Sequence, residues 1–350
     1  MWRVWWERRS LQFDTVMQSA RGAYRYRDTW YVYLEADGVL GRGECGMLRG
    51  YSVDDVPDYE AQLDEACRWM TVHAKLPEGE WLRTYPSIRM GLEMAWLHWR
   101  AGGGAILFSS PFTDAQRPLT VQGLVSAGDE PTFWHQIQRA VRKGYSCVKV
   151  KIGLRPWEEE YAQLRALRSS YSSERLKVRL DVNGGWDVDT ALNRLRALEP
   201  LEIDCVEQPL MPGRLADLAW LIQHTGVPIA LDEELSHWAV HNTPEQLFER
   251  LHPHAIVIKP TGLGGFYQAD RWREEADRHG IAWWVASTWE SGWATFAIAQ
   301  WAGMVDRGQC HGLGALNLFV DDYSAPLVMR GGKLYCAHGS AQTLKREGQA

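Results

Sequence analysis

Apolar residues in the second half of this chain gather into short runs that end in charge: SCVKVK (146–151), LKVRLD (176–181), IDCVE (203–207), VPIALD (227–232) and AIVIK (255–259). Each has the length and β-branched content of a buried strand. Between them lie stretches with apolar residues three and four apart, which predict helices over Pro131–Lys143, Trp157–Ser169, Val188–Leu198, Leu215–Thr225, Pro244–Leu251, Gly265–His279 and Gly292–Met304. Leu119–Ser126, Ala282–Ser287 and Gln309–Leu313 complete eight strands. The repeat of about 25 to 30 residues is that of one strand, one helix and two loops, and predicts an α/β fold, a (β/α)₈ barrel.

The first hundred residues break this rhythm. Strands are expected near Val4, over Tyr31–Leu34 and over Val39–Glu44, with an Asp37-Gly38 turn joining the last two, followed by helices over Val53–Val72 and Pro86–Arg100. We expect an α+β capping domain over residues 1–105, the barrel over 106–316, and a tail over 317–350 that packs back on the cap. Tail pieces Leu327–Arg330 and Lys333–Tyr335, split by Gly331-Gly332, read as strands. The Gly262-Leu263-Gly264-Gly265 run reads as a tight strand-to-helix turn rather than a phosphate loop, because no Walker lysine follows it.

Composition is that of a folded protein, 45% hydrophobic and 23% charged, and a formal charge of -6 argues against nucleic acid. Six cysteines without a CxxC read as reduced core residues. No apolar stretch reaches the roughly 18 residues of a membrane span, so a cytoplasmic protein with no membrane partner is expected. Most of the 19 tryptophans read as packing residues, with Trp283, Trp284, Trp289 and Trp293 as candidates for another role.

Strand ends of such a barrel converge on one mouth. Asp181, Glu207 and Asp232 end the third, fourth and fifth strands, an arc of carboxylates suited to Mg²⁺, with Mn²⁺ as its substitute. Lys149 and Lys151 share one face of the second strand, and Lys259 ends the sixth, on the opposite side of the mouth. A lysine facing a metal-bound carboxylate can remove the weakly acidic α-proton, and Lys149 beside Lys151 would depress its pKa. The reading is an enzyme that abstracts a proton α to a carboxylate on a small molecule. Arg179, on the face of Asp181, is expected to anchor the lysine–carboxylate network. Asn183 is weighed as a cap or a substrate contact, and Ser287 and Gly312 as residues that either support the site from behind or contact the substrate. Glu290 is expected to pair with a lysine or cap a helix, and His311 to lie in the core or on the rim. Arg21, Arg25 and Arg27 read as solvated charges, with a substrate's remote carboxylate as the alternative.

The ordered motifs VKVKIG, LDVNGGW, VEQPL, ALDEEL and IVIKPTGLGG resemble the enolase superfamily, and within it the muconate-lactonizing subgroup. The resemblance implies a capping domain over the mouth, Mg²⁺ on Asp181, Glu207 and Asp232, Lys151 as acid/base and Lys259 opposite. Arg179-x-Asp181 and IKPT look like the o-succinylbenzoate synthases, carbon–oxygen lyases of menaquinone and phylloquinone synthesis. That implies syn-dehydration of 2-succinyl-6-hydroxy-2,4-cyclohexadiene-1-carboxylate. N-acylamino acid racemases and dipeptide epimerases share the two lysines, although residues 312–316 lack the Asp-x-Asp that dipeptide epimerases often carry. The seventh strand, IAWWVAS, lacks the histidine base of mandelate-racemase-type enzymes. A non-catalytic carboxylate-binding barrel is the alternative of another class. The pattern sets no oligomeric state.

Overall fold

The computed structural model describes residues 1–19, 22–78 and 80–337. Strands β1 (Arg3–Ser19), β2 (Gly22–Ala36) and β3 (Val39–Met47) form an antiparallel meander, joined by helices α1 (Tyr59–His73) and α2 (Pro86–Arg100). Trp30, Val32 and Leu34 of β2 pack with Leu63 and Met70 of α1 and Ile88 and Leu92 of α2 to make a separate core. The hairpin at Asp37-Gly38 and helix α2 match the sequence pattern, but α1 starts six residues after Val53 because residues 53–58 are occupied by turns.

Beyond β4 (Leu119–Thr120), the chain alternates: β5 (Gly123–Val125), α3 (Glu130–Arg142), β6 (Cys147–Lys151), α4 (Trp157–Ser170), β7 (Lys177–Asp181), α5 (Val188–Leu198), β8 (Cys205–Glu207), α6 (Leu215–His224), β9 (Ile229–Leu231). Two helices, α7 (Glu233–Ala239) and α8 (Pro244–Leu251), then precede β10 (Ala255–Ile258), α9 (Pro260–Leu263), α10 (Phe266–Arg278), β11 (Ala282–Val285) and α11 (Gly292–Val305). Strands β5 to β11 pair side by side, all in parallel. The predicted eighth strand is reduced to two bridging residues: His311 pairs with Val121 and Gly312 with Ala286, which closes the ring. Gly312 has no room for a longer side chain, since an added Cβ would stand 2.8 Å from that of Ala286. The predicted first strand is likewise divided. Its start, β4, pairs with β13 (Lys333–Cys336) of the hairpin begun by β12 (Leu327–Arg330), and only β5 joins the barrel. Residues 318–320 bond to Gln12 and Asp14 of β1. Among the described residues no helix is long and apolar enough to cross a membrane.

Two close approaches fix the cap. Glycines at 41, 43 and 91 let α2 lie directly on β3; an added Cβ at Gly43 would stand 1.8 Å from the carbonyl oxygen of Gly91. Glu93 of α2 reaches across to the barrel, where its carboxylate accepts the backbone N–H groups of Phe266 (2.8 Å) and Tyr267 (3.0 Å) at the start of α10. Of the Gly262-Leu263-Gly264-Gly265 run, expected as a strand-to-helix turn, Gly262 and Leu263 belong to α9, and Gly264 and Gly265 turn the chain from α9 into α10. Gly265, at φ 106°, must also lack a side chain, because an added Cβ would meet Glu93 Oε2.

Gly43→Ala should therefore lower the unfolding free energy by about 3 kcal/mol, measured by denaturant titration; an unchanged midpoint would contradict the contact. Burial pushes the Glu93 carboxyl up to about 7, against the helix N–H groups that lower it. A raised carboxyl contributes stability that is complete below its unfolded pKa near 4.5 and is lost as pH rises through 7. Between pH 5.5 and 8 the wild type should lose roughly 1–2 kcal/mol through this group. In Glu93→Gln that part of the pH dependence of the melting temperature should vanish, and equal slopes for both proteins would contradict it.

Candidate functional site

The parallel register sets the site. Lys151, Asp181 and Glu207 stand opposite one another on β6, β7 and β8, and Asp232 follows the last residue of β9. Lys259 follows β10, which three strands separate from β6 in the sheet order. Asp181 and Glu207 are buried, as is Asp232, and the lysines lie at the wall of a pocket with about 770 Å³ of free space that opens to solvent.

Lys149 Nζ lies 2.8 Å from both Asp181 Oδ2 and Glu207 Oε1. Lys151 Nζ lies 2.6 Å from the same Asp181 Oδ2 and 2.5 Å from Asn183 Oδ1. Across the mouth, Lys259 Nζ donates to Asp232 Oδ2 and, at 3.0 Å, to the hydroxyl of Tyr51 from the capping domain. Lys149 is thus placed differently from the expected bare neighbour of Lys151, because the negative Asp181 Oδ2 stands between them. Burial pulls the Lys149 pKa down, but Asp181 and Glu207 outweigh it and hold the ammonium above its ordinary range. Burial raises Asp181 while Lys149 and Lys151 lower it further, so this carboxylate stays ionised well below the usual range. Burial, and then the charge of Asp181, push Glu207 up to about 8.

Glu207 Oε2 is buried without a hydrogen-bond partner. A buried carboxylate oxygen in this state favours a proton or a cation. Among the described residues no three side chains of metal-binding type stand together as a ready-made cage. The lysine ammoniums instead occupy Asp181 Oδ2 and Asp232 Oδ2. The donor chemistry, three buried carboxylates with one oxygen unpartnered, fits a hard divalent cation that would share those oxygens.

Asn183 connects the two sides. Its backbone takes φ 49°, its N–H donates to Asp181 Oδ1 at 3.1 Å, and its Nδ2 donates to Glu233 Oε1 at 2.9 Å. Asp187, not Asn183, caps α5. Glu233, buried and with Oε2 unpartnered, was not singled out in the sequence, where it sits within three consecutive acids. The missed Gln208 is also structural to the site: its Oε1 accepts the N–H groups of Asp232 and Glu234, both at 3.1 Å, fixing the start of α7.

Several expectations are corrected. Arg179 does not join the lysine–carboxylate network: it bonds Asp204 (2.9 Å), Gln122 (3.1 Å) and the Cys310 carbonyl (2.9 Å), and lies 3.7 Å from the centre of the Trp284 ring. Two residues span about 6.6 Å along a strand, so its fork serves a deeper layer of the barrel than Asp181. Glu290 binds neither lysine nor helix end; it accepts from the Thr261 hydroxyl (2.7 Å) and the Thr288 N–H (2.8 Å), while Ser291 caps α11. Arg27 is buried and paired with Glu44 at 2.6 Å, Arg25 is exposed, and Arg21 lies outside the described residues. His311 is buried, accepting the Val285 N–H at 3.0 Å. Ser287 and Gly312 both line the pocket. Of the four tryptophans singled out, Trp289 lines it too, with Tyr24, Leu48 and Tyr51 of the cap. Trp283, Trp284 and Trp293 are buried.

Residues 133–338 match the family described as enolase C-terminal domain-like. Over 359 aligned residues the chain is 30% identical to the o-succinylbenzoate synthase of Desulfotalea psychrophila, covering 94% of this chain and 97% of that one. The crystal structure of MenC from Desulfotalea psychrophila superposes with a TM-score of 0.84 at 28% identity, over 95% of this chain and 99% of the other. The L-Ala-D/L-Glu epimerase of Bacillus subtilis is 29% identical over 195 residues, 54% of this chain and 49% of its own. The chain belongs to the enolase superfamily, in its muconate-lactonizing subgroup.

Proposed function

We propose that the protein is an o-succinylbenzoate synthase, a lyase that dehydrates 2-succinyl-6-hydroxy-2,4-cyclohexadiene-1-carboxylate to 2-succinylbenzoate. The observation that carries this reading is the pair of lysines that line one pocket from strands on opposite sides of the barrel, Lys151 beside Asp181 and Lys259 beside Asp232. The full-length relationship to a synthase of that name supports the choice of reaction.

Asp181, Glu207 and Asp232 would hold Mg²⁺, which when bound supplies positive charge against the substrate carboxylate. Lys151, as the neutral amine, takes the proton from the carbon α to that carboxylate. The electrons of the broken C–H bond move onto the carboxylate oxygens and then return to expel the hydroxyl. Lys151 gives its proton to the departing oxygen on the same face, so water leaves, the ring becomes aromatic and the amine is restored. Lys259, kept protonated by Asp232, opposes the charge that builds on the carboxylate. Burial pulls Lys259 down, but Asp232 and Glu233 hold it above its ordinary range. Asn183 orients Lys151, and Lys149 holds Asp181 and Glu207 in register.

The same two lysines support a second activity, racemisation of an N-acylamino acid, in which one lysine removes the α-proton and the other reprotonates the opposite face. With Mg²⁺ and the cyclohexadiene acid, wild type should show aromatisation by absorbance, and Lys151→Ala should lower kcat by 10³-fold or more. Absence of wild-type turnover would overturn the synthase reading; racemisation of N-succinyl amino acids without it would favour the second.

Saturating Mg²⁺ should raise the melting temperature of the metal-stripped protein by roughly 5 °C, through binding to the folded state alone. The rise should be lost in Glu207→Gln and reversed by a chelator. No shift in the wild type would contradict the metal site.

A further inference from the structure

The pocket does not end at the lysines. Its wall continues down the barrel past Ala286, Gly312 and Gly314 to Gln122, a buried residue between β4 and β5. Only glycine fits here: an added Cβ at Gly314 would stand 2.6 Å from the Gln122 carbonyl, and one at Gly312 would stand 3.2 Å from Gln122 Nε2, so a side chain at either would crowd Gln122. The recess is polar at its base and apolar along its wall.

Gln122 is held in one orientation. Its Oε1 accepts from Arg179 Nη1 at 3.1 Å, and a guanidinium can only donate, so the carboxamide oxygen must face the arginine and its NH₂ must face away. Arg179 is fixed by Asp204, by the Cys310 carbonyl and by the Trp284 ring. The Nε2 thus lies beside Gly312, which lines the pocket, and no acceptor among the described residues takes its hydrogens.

We infer that Gln122 is a specificity-determining residue whose Nε2 donates to a carbonyl or carboxylate oxygen on the arm of the substrate remote from the reacting carbon, with Arg179 as its positioning residue. The inference rests on the dehydratase reading for the identity of that arm: a succinyl chain has two methylenes for the apolar wall and oxygen acceptors for the amide. A ligand without the arm makes no hydrogen bond to this pocket-facing donor while displacing the solvent that otherwise reaches it, which is the condition under which hydrogen-bonding sites discriminate.

The test is calorimetric binding of 2-succinylbenzoate and of benzoate, with Mg²⁺ present, to wild type and to Gln122→Leu, Gln122→Glu and Arg179→Lys. Wild type should prefer the succinyl ligand. Gln122→Leu should weaken that ligand about tenfold and leave benzoate unchanged, so that the ratio collapses. Gln122→Glu keeps the shape and a partner for Arg179 but has no donor; it should lose the ratio equally, and it carries the test if the leucine variant does not fold. Arg179→Lys should lower the ratio with less effect on benzoate, where damage confined to folding would weaken both ligands alike. An unchanged ratio in both Gln122 variants, or no preference in wild type, would overturn the inference. Absence of dehydration in wild type would instead overturn the proposed reaction, and the binding ratio would still decide the role of Gln122.

Discussion

Two ammonium groups share one carboxylate oxygen. Asp181 Oδ2 accepts from Lys149 at 2.8 Å and from Lys151 at 2.6 Å, and Lys149 continues to Glu207, so four charges on three neighbouring strands form one chain of contacts. Taking any of these charges out of water alone would cost several kcal/mol. They are tolerated only together, and the parallel register that sets Lys151 opposite Asp181 and Asp181 opposite Glu207 is what brings them together. On the far side the same logic holds Lys259 on Asp232. The arrangement is poised rather than closed, because Glu207 Oε2 and Glu233 Oε2 remain without partners.

The capping domain is tied into this charged mouth. Tyr51 reaches Lys259 directly. Behind it, Glu44 of β3 binds Arg27 of the same sheet and also accepts from Ser291, the cap of α11, so one buried carboxylate serves both the cap and a barrel helix. Breaking such a buried pair by removing one member leaves an uncompensated charge, which makes the cap's position over the mouth costly to change. Glu93 adds a second tie at the start of α10. The roof that Tyr24, Leu48 and Trp289 give the pocket is therefore set by contacts that lie outside it.

Much of this was legible from residue types. Period-two alternation placed Lys149 and Lys151 on one face, and the strand rhythm placed Asp181, Glu207 and Lys259 at strand ends. Alternation gives the face but not the depth, which is why Arg179, on the face of Asp181, turned out to serve Asp204 and Gln122 instead. Helix α7 escaped notice because its seven residues begin inside the run of acids after β9 and are too few to show a period. The eighth strand was overdrawn because Gly312 lets the ring close through two bridges alone. Tyr51 and Gln122 could not be assigned to the site from sequence: each meets its partner, Lys259 or Arg179, across a long stretch of chain, and only the closed barrel and its cap bring them together.

The central claim is that the three carboxylates form a cation site between two opposed lysines. Crystals soaked in Mn²⁺ and 2-succinylbenzoate, with an anomalous difference map, test it most directly. The expected result is one strong peak bounded by Asp181, Glu207 and Asp232, with the ligand carboxylate beside it and Lys151 and Lys259 on opposite faces of the ring. A map without a peak there, or a ligand with both lysines on one face, would contradict it.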